Sequence, residues 1–233
     1  MKTYTEEQIM SLPELKDVRA FYRERAPYWD MFMERELINK VRNKEAERML
    51  LSFRDLPQNS IYVDIGIGTA EHQRRIEKLL GNRLGKRYIG VDIADTMLQK
   101  ALNKYPDDTM ILANARSILP LRSALADGLI VQHVLSLIPD EVLQWSIIEM
   151  RRVMKKGGIL SGCVYVPSDP FSKSDFPRNY PQYREKKLAD SERSLNQDRS
   201  KLEYKTLFDK AGFGVEDMHH ITWDAVQITA IAI

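Results

Sequence analysis

The sequence predicts an α/β protein: a mostly parallel sheet covered on both faces by helices. Three observations predict it. Short apolar runs alternate with helical stretches from residue 60 to residue 166, the pattern of a doubly wound sheet. The first run, Ile61-Tyr62-Val63-Asp64-Ile65, feeds a turn with two glycines, Gly66 and Gly68, and then a helical stretch. The next run, Arg87-Tyr88-Ile89-Gly90-Val91-Asp92, ends in an acid.

Bulk composition narrows the class. The chain has 233 residues, 43% of them hydrophobic, enough for one domain with a sizeable core. The net charge of +2 with 29% charged residues describes a mixed surface, not one built to grip nucleic acid by its phosphates. A single cysteine, Cys163, allows no internal disulfide and fits a reducing compartment. It falls in an apolar run, where a buried inert thiol is expected. No apolar run approaches membrane-spanning length and the N-terminus has no signal-like apolar core, so the expected location is cytoplasmic.

Residues 1–53 read as a helical lid segment. Thr5-Glu6-Glu7-Gln8 has the form of a capping box, and Pro13 and Pro27 divide the stretch into about three helices. The aromatic segment around Tyr22, Tyr28 and Trp29 has two readings: a helix laid on the sheet, or a lid that closes over cofactor and substrate. The main domain is expected over 54–233. Its first helix, Ala70–Leu80, is expected to face Ile76, Leu79 and Leu80 inward and to end at Gly81. Asp95 or Thr96 is expected to cap the next helix, which turns Met97, Leu98, Ala101 and Leu102 to the core. Asp140 is expected to cap a later one that Gly157-Gly158 ends.

A third strand is expected at Met110–Ala113, a fourth at Gly128–His133 and a fifth after Gly158. Residues 167–199 break the alternation with Pro167, Pro170, Pro177 and Pro181 among aromatics, then a charged run. So long a loop is expected to be a substrate-covering insertion or a plain solvated excursion; contact with RNA is disfavoured because its acids nearly balance its bases. Ser200-Lys201-Leu202-Glu203 is another capping box, opening a helix that Gly212 stops. Two apolar strands, roughly 215–223 and 225–233, close the chain as a hairpin at the sheet edge.

The glycine turn selects the ligand. A dinucleotide fingerprint needs a third glycine where Glu71 stands, and a glutamate there repels a pyrophosphate. A phosphate-binding P-loop needs Gly-Lys-Ser/Thr, which does not follow. An acid-x-Gly-x-Gly-x-small turn remains, followed by an acid placed to take a ribose diol.

This ordered set resembles the class I S-adenosylmethionine-dependent methyltransferases, in particular the small-molecule branch that includes the ubiquinone and menaquinone C-methyltransferases. The resemblance runs from Tyr62 to about Val166, with a fainter match at Leu207-Phe208-Asp209-Lys210-Ala211-Gly212-Phe213. Its most specific piece is Glu149 followed by Arg152-Val153-Met154-Lys155-Lys156-Gly157-Gly158. Departures are Ala70 for a third glycine, Asn114 for an acid, Ala126 for Phe and Lys156 for Pro. The resemblance implies a Rossmann-like seven-stranded sheet with the last strand inserted antiparallel, and S-adenosyl-L-methionine as cofactor, released as S-adenosyl-L-homocysteine.

It also implies roles. Gly66 and Gly68 let the turn approach the cofactor. Asp64 braces that turn and receives the cofactor's amino group directly or through a water, and Asp92 takes the ribose hydroxyls. Ile93 packs on adenine, Asn114 and Ala115 border the adenine edge, and Gln132 borders the methionine moiety; Thr69, Met97 and Arg116 complete the expected set. His133 follows the fourth strand, where it is either a general base or a histidine satisfied by a backbone carbonyl. Tyr22, Tyr28 and Trp29 are the expected acceptor contacts. No His/Cys/carboxylate spacing suggests a metal.

The leading expectation is methyl transfer to a small-molecule acceptor at O, N or C by in-line displacement. The alternatives are an RNA-modifying enzyme and a non-catalytic cofactor-binding protein. The sequence leaves monomer and homodimer equally open.

Overall fold

Runs too apolar to face water on either side become the inner strands of one sheet. The computed structural model describes residues 13–85, 87–166, 199–222 and 225–233. Its strands are β1 (Ile61–Ile65), β2 (Arg87–Asp92), β3 (Thr109–Leu112), β4 (Ala126–Gln132), β5 (Met154–Tyr165), β6 (Phe213–His220) and β7 (Ala225–Ala232). They form a seven-stranded sheet in the order β3-β2-β1-β4-β5-β7-β6. β1 runs parallel to β2 and β4, and β7 runs antiparallel between β5 and β6. The two last strands form the expected antiparallel pair at the sheet edge, with β7 inserted between β5 and β6. From β3 at one edge the chain returns to β4 on the far side of β1. That reversal opens a crevice at the carboxyl ends of β1 and β4.

Alternation along the strands divides the core. Val63, Ile65, Leu129 and Val131 face one layer with helices α6 (Asp140–Val153) and α7 (Lys201–Lys210). Tyr62, Tyr88 and Ile130 face the other, with Ile76 of helix α4 (Glu71–Leu80) and Leu98 and Ala101 of helix α5 (Asp95–Lys104).

The N-terminal stretch is α1 (Pro13–Arg25), a short 3-10 turn (Ala26–Tyr28) that holds Pro27, α2 (Trp29–Met33) and α3 (Glu36–Phe53). α3 is no detached cover. Its Ala46, Met49 and Phe53 are buried in the same cluster as Tyr62 and Tyr88. Burying side chains such as Met49 and Phe53 contributes about 1.5–3 kcal/mol each.

Several local expectations are corrected. The α5 and α6 caps are Ala94 and Pro139, without side-chain bonds. Arg23 pairs with Asp95 at 2.8 Å and Arg199 with Asp140 at 2.7 Å, so long-range ion pairs take both carboxylates. Leu79, Leu80 and Leu102 end on the exposed side of their helices. α6 runs straight into β5 at Met154, so Gly157 and Gly158 lie within the strand's irregular start, where the register with β4 shifts. The Ser200–Glu203 capping box is formed as read. The Thr5–Gln8 box and the proposed covering insertion, apart from Arg199, lie outside the described residues. Among the described residues no helix is long and apolar enough to cross a membrane.

Candidate cofactor and acceptor site

The turn after β1 is held by backbone bonds before any ligand is considered. Gly66 and Ile67 both donate to Val91 O on the neighbouring strand. Gly66 sits at φ +77° and Gly68 at φ +57°, the left-handed region that glycine enters without penalty. A Cβ on Gly66 would stand 2.1 Å from Val134 Cγ2, while one on Gly68 would meet nothing within 4 Å. Gly66 is therefore required by packing, and Gly68 leaves the space beside the backbone open. Ala70, where the resembling family carries a third glycine, also adopts positive φ, at 62°.

Asp92 caps this turn from the tip of β2. Its Oδ2 accepts from Gly68 N at 2.8 Å and its Oδ1 from Ala94 N at 2.9 Å. Each oxygen keeps a lone pair for a further donor. Burial raises the Asp92 carboxyl above its ordinary range, partly offset by these backbone donors.

The cleft above the turn has a volume of about 1070 Å³, counted to its open mouth. Gly66, Gly68, Thr69, Asp92, Ile93, Met97, Asn114, Ala115, Arg116, Gln132 and His133 all line it, as do Tyr22 and Trp29. Two sequence-predicted residues fall outside. Asp64 is buried beneath the turn, where its Oδ2 accepts from Tyr88 Oη at 2.7 Å. Burial pushes its carboxyl up to about 7, against the Tyr88 hydrogen bond and with added repulsion from Asp92. Tyr28 is 66% exposed, because the 3-10 turn at Ala26 directs it outward while Tyr22 and Trp29 meet edge to face at 5.5 Å.

Asn114 Oδ1 accepts from Arg116 N at 3.0 Å, which closes the turn after β3. Gln132 is 5% exposed, and neither its Nε2 nor its Oε1 has a hydrogen-bond partner among the described residues. A buried amide with both ends unsatisfied costs about 1–3 kcal/mol, which a polar ligand in the cleft would relieve. An open glycine cradle, a ribose-competent carboxylate and an orphaned amide are together the fit expected for the cofactor.

Residues 63–161 match the family model described as "Methyltransferase domain". That segment carries the methyltransferase domain, and the seven-stranded sheet is the Rossmann-like methyltransferase fold. Three solved structures give the likeness its scale. A chain from the complex of the Haloferax volcanii Trm112 methyltransferase activator with its methyltransferase superposes at TM-score 0.67 and 18% identity, covering 92% of this chain and 97% of that one. Magnesium protoporphyrin IX methyltransferase from Synechocystis, with bound SAH, gives TM-score 0.65 at 14% identity over 94% of this chain and 99% of that one. Geranyl diphosphate C-methyltransferase from Streptomyces coelicolor, in complex with Mg2+, geranyl diphosphate and S-adenosyl-L-homocysteine, gives 0.68 at 12% over 96% and 99%. No curated protein sequence matches this chain.

The acid and the arginine of the Glu149–Gly158 motif are scaffolding. Glu149 accepts from Leu119 N at 2.8 Å and from Arg152, whose guanidinium also holds Leu119 O and Leu121 O. That clamp fixes the loop beneath the sheet. Glu71, which argued against a pyrophosphate, stands in the first turn of α4 on the cleft wall, 2.7 Å from Lys104 Nζ. Its carboxyl is raised by burial but held lower overall by Arg74 and Lys104.

Sequence reasoning missed a polar group beside the cleft. Arg42, His72 and Arg75 line the cleft. Behind them Glu45 of α3 is fully buried. Glu45, His133 and Cys163 bring three potential metal-ligating atoms within 4.8 Å of one another. The spacing of Arg42 and Glu45 on one helix face was the only available signal, and it reads equally well as a solvated i,i+3 pair.

Proposed function

We propose that this chain binds S-adenosyl-L-methionine in the cleft and transfers its methyl group to a small-molecule acceptor. The observation that carries this reading is the unpartnered, buried amide of Gln132, in the same cleft as Asp92 and the Gly66–Gly68 turn. Asp92 would hold the ribose hydroxyls, Ile93 and Met97 would flank the adenine, Asn114, Ala115 and Arg116 would border its edge, and Gln132 would meet the methionine end. When bound, the cofactor supplies a methyl group already activated on a sulfonium. The chain's own task is then placement, which can contribute about 7–11 kcal/mol by holding the reacting atoms in line.

The acceptor would occupy the end of the cleft under α1 and α2. Val18, Tyr22, Trp29 and Met33 give that end an apolar lining, and His72 and His133 give it a polar edge. A partly apolar acceptor fits this wall. The porphyrin and geranyl diphosphate named for two structural neighbours are of that kind. His133 would serve as general base for an acceptor that must lose a proton, adding about 10²–10⁴-fold.

The test is methyl transfer from cofactor labelled at the methyl group, with the purified chain given either a fractionated metabolite extract or total RNA. Label in an organic-soluble small molecule supports the reading. Label in RNA favours the RNA-modifying alternative, and no transfer despite tight S-adenosylhomocysteine binding favours the non-catalytic one.

A further inference from the structure

The cleft's polar edge is organised by a residue that does not touch the cleft. Glu45 lies on α3, outside the 63–161 segment that the family model matches. It is fully buried, and its two oxygens serve three side chains. Oε1 lies 2.9 Å from His133 Nε2 and accepts from Arg42 Nη1 at 3.1 Å. Oε2 lies 3.2 Å from His72 Nε2 and accepts from the same Arg42 nitrogen at 2.9 Å. Burial alone raises a carboxyl, but Arg42 and the His133 contact hold this one well below its ordinary range. An ionised carboxylate only accepts, so each imidazole nitrogen facing it must carry a proton.

The backbone supports the same arrangement. His133 sits at φ +58°, a conformation that costs a non-glycine residue about 1–3 kcal/mol and that is retained where the surroundings enforce it. Its N–H donates to Cys163 O at 2.8 Å, so the strain falls just beyond the last ladder pair of β4. α3 in turn is fixed to the sheet by a polar seam. Ser52 Oγ lies 2.7 Å from Thr229 Oγ1 of β7, and Arg48 Nη2 lies 2.8 Å from His219 Nε2 of β6.

We propose that Glu45 is the positioning residue of this site: it holds His133 as the Nε2–H tautomer, with Nδ1 left as the ring's proton acceptor, and holds His72 the same way. The proposal rests on the reading of His133 as the base. It narrows the acceptor to one whose nucleophile loses a proton on methylation, such as a hydroxyl or a protonated amine. In that step the acceptor oxygen or nitrogen forms the bond to the methyl carbon, the carbon–sulfur bond of the cofactor breaks with its electron pair to sulfur, and the acceptor's proton passes to His133 Nδ1. A metal held by Glu45, His133 and Cys163 is the competing use of these atoms. The Arg42 guanidinium on the same carboxylate disfavours it, because a dication would be placed beside a buried cation.

The test reads the tautomer directly and needs no acceptor. Two-bond 15N–1H correlation spectra of the 15N-labelled wild-type protein at neutral pH should show His133 and His72 with protonated Nε2 and unprotonated Nδ1. Glu45→Gln, whose amide presents a donor to one of the rings, should convert at least one of them to a tautomer mixture. S-adenosylhomocysteine affinity should stay within about twofold, which also reports that the variant is folded. Once an acceptor is known, kcat should fall about 100-fold with little change in KM. Wild-type His133 with a protonated Nδ1 overturns the proposal, as does one equivalent of tightly held zinc in the purified protein. The predicted tautomers together with turnover indifferent to His133→Asn would overturn the base reading while leaving the Glu45 clamp standing.

Discussion

Asp64 lets burial be converted into a pH dependence. Its carboxyl lies beneath the glycine turn with one oxygen on Tyr88 Oη and the other, Oδ1, without a partner among the described residues. Folding pushes it up from 3.8 to about 7. A raised carboxyl binds its proton more tightly in the folded state. Its neutral form is accommodated without charge burial at low pH, and stability is lost as pH rises through the folded value. At about 1.4 kcal/mol per pH unit, the loss between about pH 5 and about pH 8 is on the order of 3 kcal/mol. Asp64→Asn removes the titration while keeping an oxygen for Tyr88. Urea unfolding across that pH range should show wild-type stability falling with pH and the variant flatter by about that amount, even if its level is lowered by an unsatisfied amide. Equal slopes for the two proteins would refute the assignment of a buried, raised carboxyl to Asp64.

Other consequences separate packing from ligand space. Gly66→Ala meets both a left-handed backbone and the Val134 side chain, for a cost of about 2–5 kcal/mol. Gly68→Ala meets only the backbone term of about 1–2 kcal/mol but sets a methyl in the open cradle. Thermal melts should therefore rank Gly66→Ala far below Gly68→Ala, while S-adenosylhomocysteine affinity falls at least about 10-fold in both. Asp30 accepts from Thr69 Oγ1 at 2.5 Å and lies 3.0 Å from Lys104 Nζ, tying α2 to the turn region. Asp30→Ala should change global stability by only about 1 kcal/mol. It should speed amide exchange in α1 and α2 and hasten cofactor-product dissociation; unchanged exchange there would show that this tie does not hold the segment down.

The legible part of this protein was the part written in local pattern. Period-two and buried apolar runs gave the strands, and the two glycines gave the turn; the acid ending β2 was read as a ribose contact, and its bond from Gly68 N is seen only in the structure. The Ser200 capping box was equally local. What was hidden depends on contacts between distant positions. Asp95 and Asp140 satisfy every local rule for a cap, but arginines 72 and 59 residues away claim their carboxylates. Tyr22, Tyr28 and Trp29 were indistinguishable as aromatics. The helix break at Ala26 decides that two line the cleft and one faces water. Glu45 was the least legible, since its partner His133 lies 88 residues away and its own helix reads as a polar surface. It is buried because it shares a face of α3 with Met49, one turn on, and the stripe Ala46, Met49 and Phe53 carries that face into the core.

The central claim is that the cleft binds the cofactor through Asp92, and titration calorimetry tests it most directly. S-adenosylhomocysteine should bind the wild-type chain with micromolar affinity. Asp92→Ala would remove the two charge-assisted ribose bonds proposed for it, of about 1.5–3 kcal/mol each, and should weaken binding at least about 100-fold. Wild-type protein that binds nothing, or a folded Asp92→Ala variant that binds as tightly as wild type, would contradict the account.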